Sequence, residues 1–68
     1  MITEIGIVAG DIWHHLDQHG EVSVAGMTAA LNRSRDLVLM SLGWLAREGH
    51  VVVRHQGQEM LVALRRAS

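Results

Sequence analysis

Five histidines among 68 residues are the side chains best suited to hold a metal or move a proton. His15 and His19 stand four apart, a spacing that puts two imidazoles on one helix face and can hold zinc. Asp11 lies one turn earlier, but there is no cysteine, and no further carboxylate completes a ligand set with evident geometry. A solvated helix edge accounts for the pair, with His19 near the negative end of its helix. Nothing resembles a nucleophile with its base, a paired-carboxylate site or a phosphate loop. Gly6 and Gly10 are spaced wrongly for a dinucleotide fingerprint. The chain is also too small to enclose a cleft of its own. We expect no enzyme, no metal, no cofactor and no small-molecule ligand.

The arginines point elsewhere. The net charge is −1, but the two halves differ. Residues 1–31 hold Glu4, Asp11, Asp17 and Glu21 and no Lys or Arg, a formal −4. Residues 32–68 hold Arg33, Arg35, Arg47, Arg54, Arg65 and Arg66 against Asp36, Glu48 and Glu59, a formal +3. A nucleic-acid binder needs local positive charge rather than a high overall pI. Every cation is Arg, which suits phosphate and guanine better than Lys does. Chance and genomic base composition would give the same bias, so the asymmetry is a pointer only.

A chain of this length forms one domain, expected over 1–68, and buries only roughly 60% of its unfolded surface. Such domains often gain stability from a partner subunit. The apolar residues are dispersed, with no run near the ~20 needed to span a bilayer. The amino terminus lacks a secretory leader pattern. With no cysteine to form a disulfide, this reads as a cytoplasmic protein away from membranes.

The elements that would position these groups follow from periodicity and caps. A first helix is expected over about 3–19, with Thr3 as N-cap and Ile5, Val8, Ala9, Ile12 and Leu16 on one stripe. Gly20 closes it. Glu21-Val22-Ser23 is too short to stand alone but can join a later hairpin as a third strand. Ser23 caps a short helix at about 24–31, with Val22 and Met27 as a hydrophobic staple. Asn32-Arg33 turns the chain and Ser34 caps a third helix at about 35–48, which Gly49 stops. Val51-Val52-Val53 starts a strand, Gln56-Gly57 is the expected hairpin loop, and Glu59 to Leu64 returns. Residues 65–68 read as a frayed tail.

The order of helix, short strand, two helices and a hairpin resembles the winged helix-turn-helix superfamily over nearly the whole chain. The pattern Leu31-x-x-Ser34-x-x-x-Val38-x-x-Ser41-Leu42-x-x-Leu45-x-x-Glu48-Gly49-x-Val51 carries the resemblance. In that superfamily it marks the buried seam of the reading helix and the strand after it. Ser41-Leu42-Gly43-Trp44-Leu45-Ala46-Arg47-Glu48 is further similar to a family of short, stand-alone prokaryotic winged-helix proteins with no assigned function. The resemblance implies an α+β fold: three helices plus a small antiparallel sheet with one wing hairpin. The resemblance settles no activity; with the basic second half, the leading expectation is a DNA-binding module of transcriptional-regulator type, with double-stranded DNA as partner. Arg33, Ser34 and Arg35 would then meet phosphate at the start of the third helix. Arg47 would reach phosphate or a base edge, and Arg54, His55, Gln56 and Gln58 would form the wing tip.

The third helix does not read cleanly as a groove reader. With Val38 at the centre of the buried side, Leu45, Leu42 and Ser41 fall within about 60° of it. Leu37, Met40 and Trp44 lie roughly 100° to 160° away as a second apolar ridge. A groove-reading helix usually offers polar and basic side chains there. Either Leu37 and Trp44 cover neighbouring elements, or the ridge meets another protein, most simply a second copy. Trp and Met are common at such surfaces. The hairpin repeats the theme. In the expected register Val53 faces Met60 and Val51 faces Val62, while Val52, Leu61 and Ala63 share the opposite, equally apolar face. The alternative function is therefore an interaction or homodimerisation module that keeps the scaffold and has lost DNA reading. Leu37, Met40, Trp44, Val52 and Leu61 would form its interface.

Overall fold

The computed structural model describes residues 2–66, in the order α1 (Ile2–His19), β1 (Val22–Ser23), α2 (Val24–Leu31), α3 (Arg35–Arg47), β2 (Val51–Gln56) and β3 (Glu59–Leu64). Two serine caps set the helix-turn-helix. Ser23 Oγ accepts from the Gly26 N–H at 3.0 Å, and Ser34 Oγ accepts from the Leu37 N–H at 3.2 Å. Each thereby satisfies one of the N–H groups a helix start leaves orphaned. Between them Asn32 takes the left-handed conformation, φ 55°, and its N–H closes onto the Ala29 carbonyl. Thr3 lies inside α1 rather than at its cap, because the helix already runs from Ile2.

The core forms where the three helices meet one sheet face. Val8, Ala9, Ile12 and Leu16 of α1, Val24 and Met27 of α2, and Val38, Leu42 and Leu45 of α3 pack with Val51 and Val62. The seam expected on α3 is thus the buried one, and the α1 stripe holds except that Ile5 is only half-buried. Ser41 is fully buried among these apolar groups, and its hydroxyl has no hydrogen-bond partner.

The sheet is antiparallel in the order β1-β3-β2, so the two-residue β1 does join the hairpin as a third strand. The hairpin register differs from the sequence expectation by two residues. The loop is Gly57-Gln58, and the pairs are Val51↔Leu64, Val53↔Val62 and His55↔Met60. Gly57 has φ 62°, and Asn32 is the one non-glycine residue described with positive φ. Positive φ at the first loop position alone matches a type II′ turn, which wants Gly first. Gln56-Gly57 would have placed it second. A slip of two leaves every side chain on its expected face, since strand faces alternate with period two. Val52, Arg54, Leu61 and Ala63 therefore do share the outer face.

The frayed end expected over 65–68 falls partly outside the described residues, which end at 66. At its start, the Arg65 N–H donates to the His50 carbonyl at 2.9 Å, and Arg66 reaches Asp17 on α1.

Candidate nucleic-acid interface

The start of α3 and the wing come together. Arg35, His55 and Gln58 line one cleft of about 170 Å³, with Ser23 and Ala25 from the start of α2 and Glu59 beyond the turn. Ser34 sits at the mouth of α3 as its cap, and the helix dipole and the remaining N–H groups there favour an anion. Gln56 faces Glu59 across the hairpin and is exposed. Arg47 is exposed twelve residues along α3 from Arg35, about 18 Å along the axis at 1.5 Å per residue. It belongs to the other end of the helix.

Two of the expected phosphate contacts are occupied from within the fold. Arg54 binds Glu21 through both ends of its guanidinium, Nε to Oε2 at 2.8 Å and Nη2 to Oε1 at 2.7 Å. Because β3 lies between β1 and β2, this pair spans the central strand on the outer face, where Arg54 and Ser23 flank Leu61. The hydrogen-bonded guanidinium holds the Glu21 carboxyl below its ordinary range and raises Arg54 in turn. Arg33 Nη2 lies 3.1 Å from Asp11 Oδ2, tying the turn before α3 to α1. A third pair, Arg66 to Asp17 at 3.1 Å, ties the end of β3 to the same helix.

The charge asymmetry of the sequence is thus folded onto itself. Three of the four acids in the first half are spent on three of the six arginines in the second. Among the described residues Arg35, Arg47 and Arg65 make no ion pair, and Asp36, Glu48 and Glu59 offset them formally. Composition gave the charges but not the partners, which lie 22, 33 and 49 residues apart.

The apolar ridge on α3 divides. Leu37 is half-buried and packs against the core, whereas Met40 and Trp44 stay 43% and 49% exposed. On the outer sheet face Val52 is 51% exposed and Leu61 half-buried. His15 and His19 do meet, with ring centroids 4.4 Å apart. Burial and, secondarily, the neighbouring His19 lower the His15 pKa. No group of three or more His, Cys, Asp or Glu side chains suited to a metal ion gathers among the described residues.

A family model of a winged helix-turn-helix domain, DUF2582, matches residues 1–64. The chain belongs to this winged helix-turn-helix family. Its fold is similar to the solution structure of protein BT2368 from Bacteroides thetaiotaomicron, at TM-score 0.81 and 27% identity, over 91% of this chain and 76% of that one. It is also similar to reduced HlyU from Vibrio cholerae, at TM-score 0.77 and 29% identity, over 84% of this chain. HlyU from Vibrio vulnificus, a transcriptional regulator, matches at TM-score 0.70 and 26% identity over 97% of this chain. The winged-helix chain spans only 59% and 62% of those two HlyU chains. No curated protein matches it. No helix among the described residues is long and apolar enough to cross a membrane.

Proposed function

We propose that this winged-helix domain is a cytoplasmic, non-enzymatic DNA-binding module of regulator type that grips the duplex mainly by its phosphates. The observation that carries the reading is the single cleft shared by Arg35, His55 and Gln58 between the start of α3 and the wing. Phosphate entering it meets the Arg35 guanidinium and two wing side chains with donors, His55 and Gln58, with Glu59 as the one carboxylate in the lining. Gln56 extends this row at the wing tip, and Arg47 takes phosphate at the far end of α3. Arg33 and Arg54 contribute only by exchanging Asp11 and Glu21 for phosphate. The likeness to HlyU, a transcriptional regulator in Vibrio vulnificus, supports the regulator class.

The test is fluorescence anisotropy of a labelled mixed-sequence duplex across a salt series. Affinity should fall with salt along a log–log slope of about −0.9 per phosphate neutralised. Arg35→Gln should flatten that slope by about one phosphate. Absence of binding even at low salt would remove the reading.

A further inference from the structure

Gly6 and Gly10 sit inside α1, where each weakens the helix by up to about 1 kcal/mol relative to Ala. Packing within the chain does not require them, because a Cβ at either position would meet nothing within 4 Å. Beside them stand the two indoles of the chain, Trp13 37% and Trp44 49% exposed. Gly6, Gly10, Trp13 and Trp44 line one open, mainly apolar groove of about 280 Å³ between α1 and α3. Met40, one turn before Trp44 on α3, is 43% exposed, and Ile7, on the adjoining face of α1, is 53% exposed. Large exposed apolar groups next to unexplained helical glycines call for a close-fitting partner.

We propose that the partner is a second copy of this chain, docked across a two-fold axis on the α1–α3 groove. The face carries both halves of such a fit, indoles that project and glycines that leave room. Antiparallel crossing of two α1 helices at Gly10 brings Trp13 of each copy opposite Gly6 and Ile7 of the other. That is the reciprocal contact an isologous dimer requires. None of the six residues is charged, so self-docking juxtaposes no like charges across its centre. The area also fits. At 150–250 Å² for an aromatic side chain, the four exposed apolar groups offer roughly 400 Å². A standard interface takes about 800 Å² per partner, a little over half of it apolar. The inference does not rest on the DNA reading. Arg35 and Trp44 are nine residues apart, about 13 Å along α3, so docking leaves the wing cleft open.

Sedimentation equilibrium and thermal melts of the full chain from about 10 to about 500 µM test the proposal. Wild type should approach twice the monomer mass, and its Tm should rise with concentration, as binding to the folded state alone requires. Its tryptophan emission should shift to shorter wavelength over the same range. Gly10→Glu places a charge at the crossing and a better helix former in open space. It should stay folded and monomeric, with a Tm independent of concentration. Trp44→Glu should weaken self-association at least tenfold. A wild type that remains monomeric at about 500 µM overturns the proposal and leaves the face to a different protein. A dimer that survives Gly10→Glu overturns it too and moves the interface elsewhere, the outer hairpin face being next. Loss of DNA binding with self-association intact would touch only the function proposed above.

Discussion

Glu21 occupies the Arg54 guanidinium, so on the proposed phosphate-gripping reading removing the acid should strengthen DNA binding. Two short bonds, 2.8 and 2.7 Å, occupy the guanidinium fork in the bidentate geometry a phosphate would want. A phosphate that recruits Arg54 must first displace a carboxylate of the same charge, and the net gain in charge neutralisation is small. Glu21→Gln leaves the shape of the side chain and removes its charge. One further phosphate should then be neutralised, steepening the log–log salt slope by about 0.9. Between about 50 and about 200 mM salt one such contact is worth roughly a 3.5-fold change in affinity, so the variant should lose that much more across the interval than wild type. Anisotropy with the same duplex reads both slopes. Arg54→Gln completes a double-mutant cycle. Alone it should change little; in the Glu21→Gln background it should abolish the gain. Equal slopes for wild type and Glu21→Gln would refute the reasoning. So would an Arg54→Gln that weakens binding as much as Arg35→Gln, because the arginine would then be in use despite its clasp.

Three further outcomes test the energetics. Ser41→Ala should raise stability by about 1 kcal/mol, since it removes a buried hydroxyl without a partner and improves helix propensity. A thermal melt should show a Tm increase of about 4–8 °C, and an unchanged or lower Tm would mean the hydroxyl is bonded in solution. Gly43→Ala and Gly26→Ala should part company. Both gain helix propensity, but a Cβ at Gly26 would stand 2.9 Å from the capping Ser23 Oγ, whereas at Gly43 it meets open space. Only Gly43→Ala should stabilise by up to about 1 kcal/mol, because the cap lost at α2 is worth about as much as the propensity gained. The last concerns pH. His15 is lowered in the fold from 6.5, so the unfolded chain binds more protons in the window just below that value. Stability should therefore fall as pH drops through 6.5 towards the folded-state pKa, and His15→Gln should flatten that limb of a denaturation-versus-pH curve.

What the sequence makes legible depends on the range of the interaction. Val38, Leu42 and Leu45 share a face through backbone geometry alone, and Ser23 and Ser34 cap the N–H group three residues on, so the seam and both caps are local facts. The hairpin was half legible. Gly57 marks a turn, but a two-residue loop can place it first or second, and only strand pairing chooses between them. The ridge on α3 was not legible, because its fate depends on what faces it. Leu37 finds the core, whereas Trp44 stays half exposed beside the open groove that Gly6 and Gly10 leave on α1. The expected DNA contacts follow from position in the winged-helix pattern, and position is silent about Asp11 and Glu21. Those acids are distant in sequence and become neighbours only when α1 and the sheet close on the turn and wing.

The same arginines that would meet DNA also tie the domain together. Arg33, Arg54 and Arg66 each join a later element to α1 or the segment after it, in a chain short enough that its core leaves little margin. Using them on phosphate means opening those ties, and keeping them leaves Arg35 and Arg47 as the main free guanidinium groups on α3. The outward positions of α3 between these two are Asp36, Met40, Gly43, Trp44 and Ala46, none of which offers an amide or guanidinium to a base edge. A good bidentate base contact discriminates by about 1–3 kcal/mol, so a helix with so few donors cannot assemble the roughly 4–10 kcal/mol that separates specific from non-specific binding. One protomer should therefore hold DNA loosely and with little preference for sequence. Two protomers on one duplex would double the phosphate contacts without adding a single base reader, so dimerisation would raise affinity and salt dependence far more than selectivity.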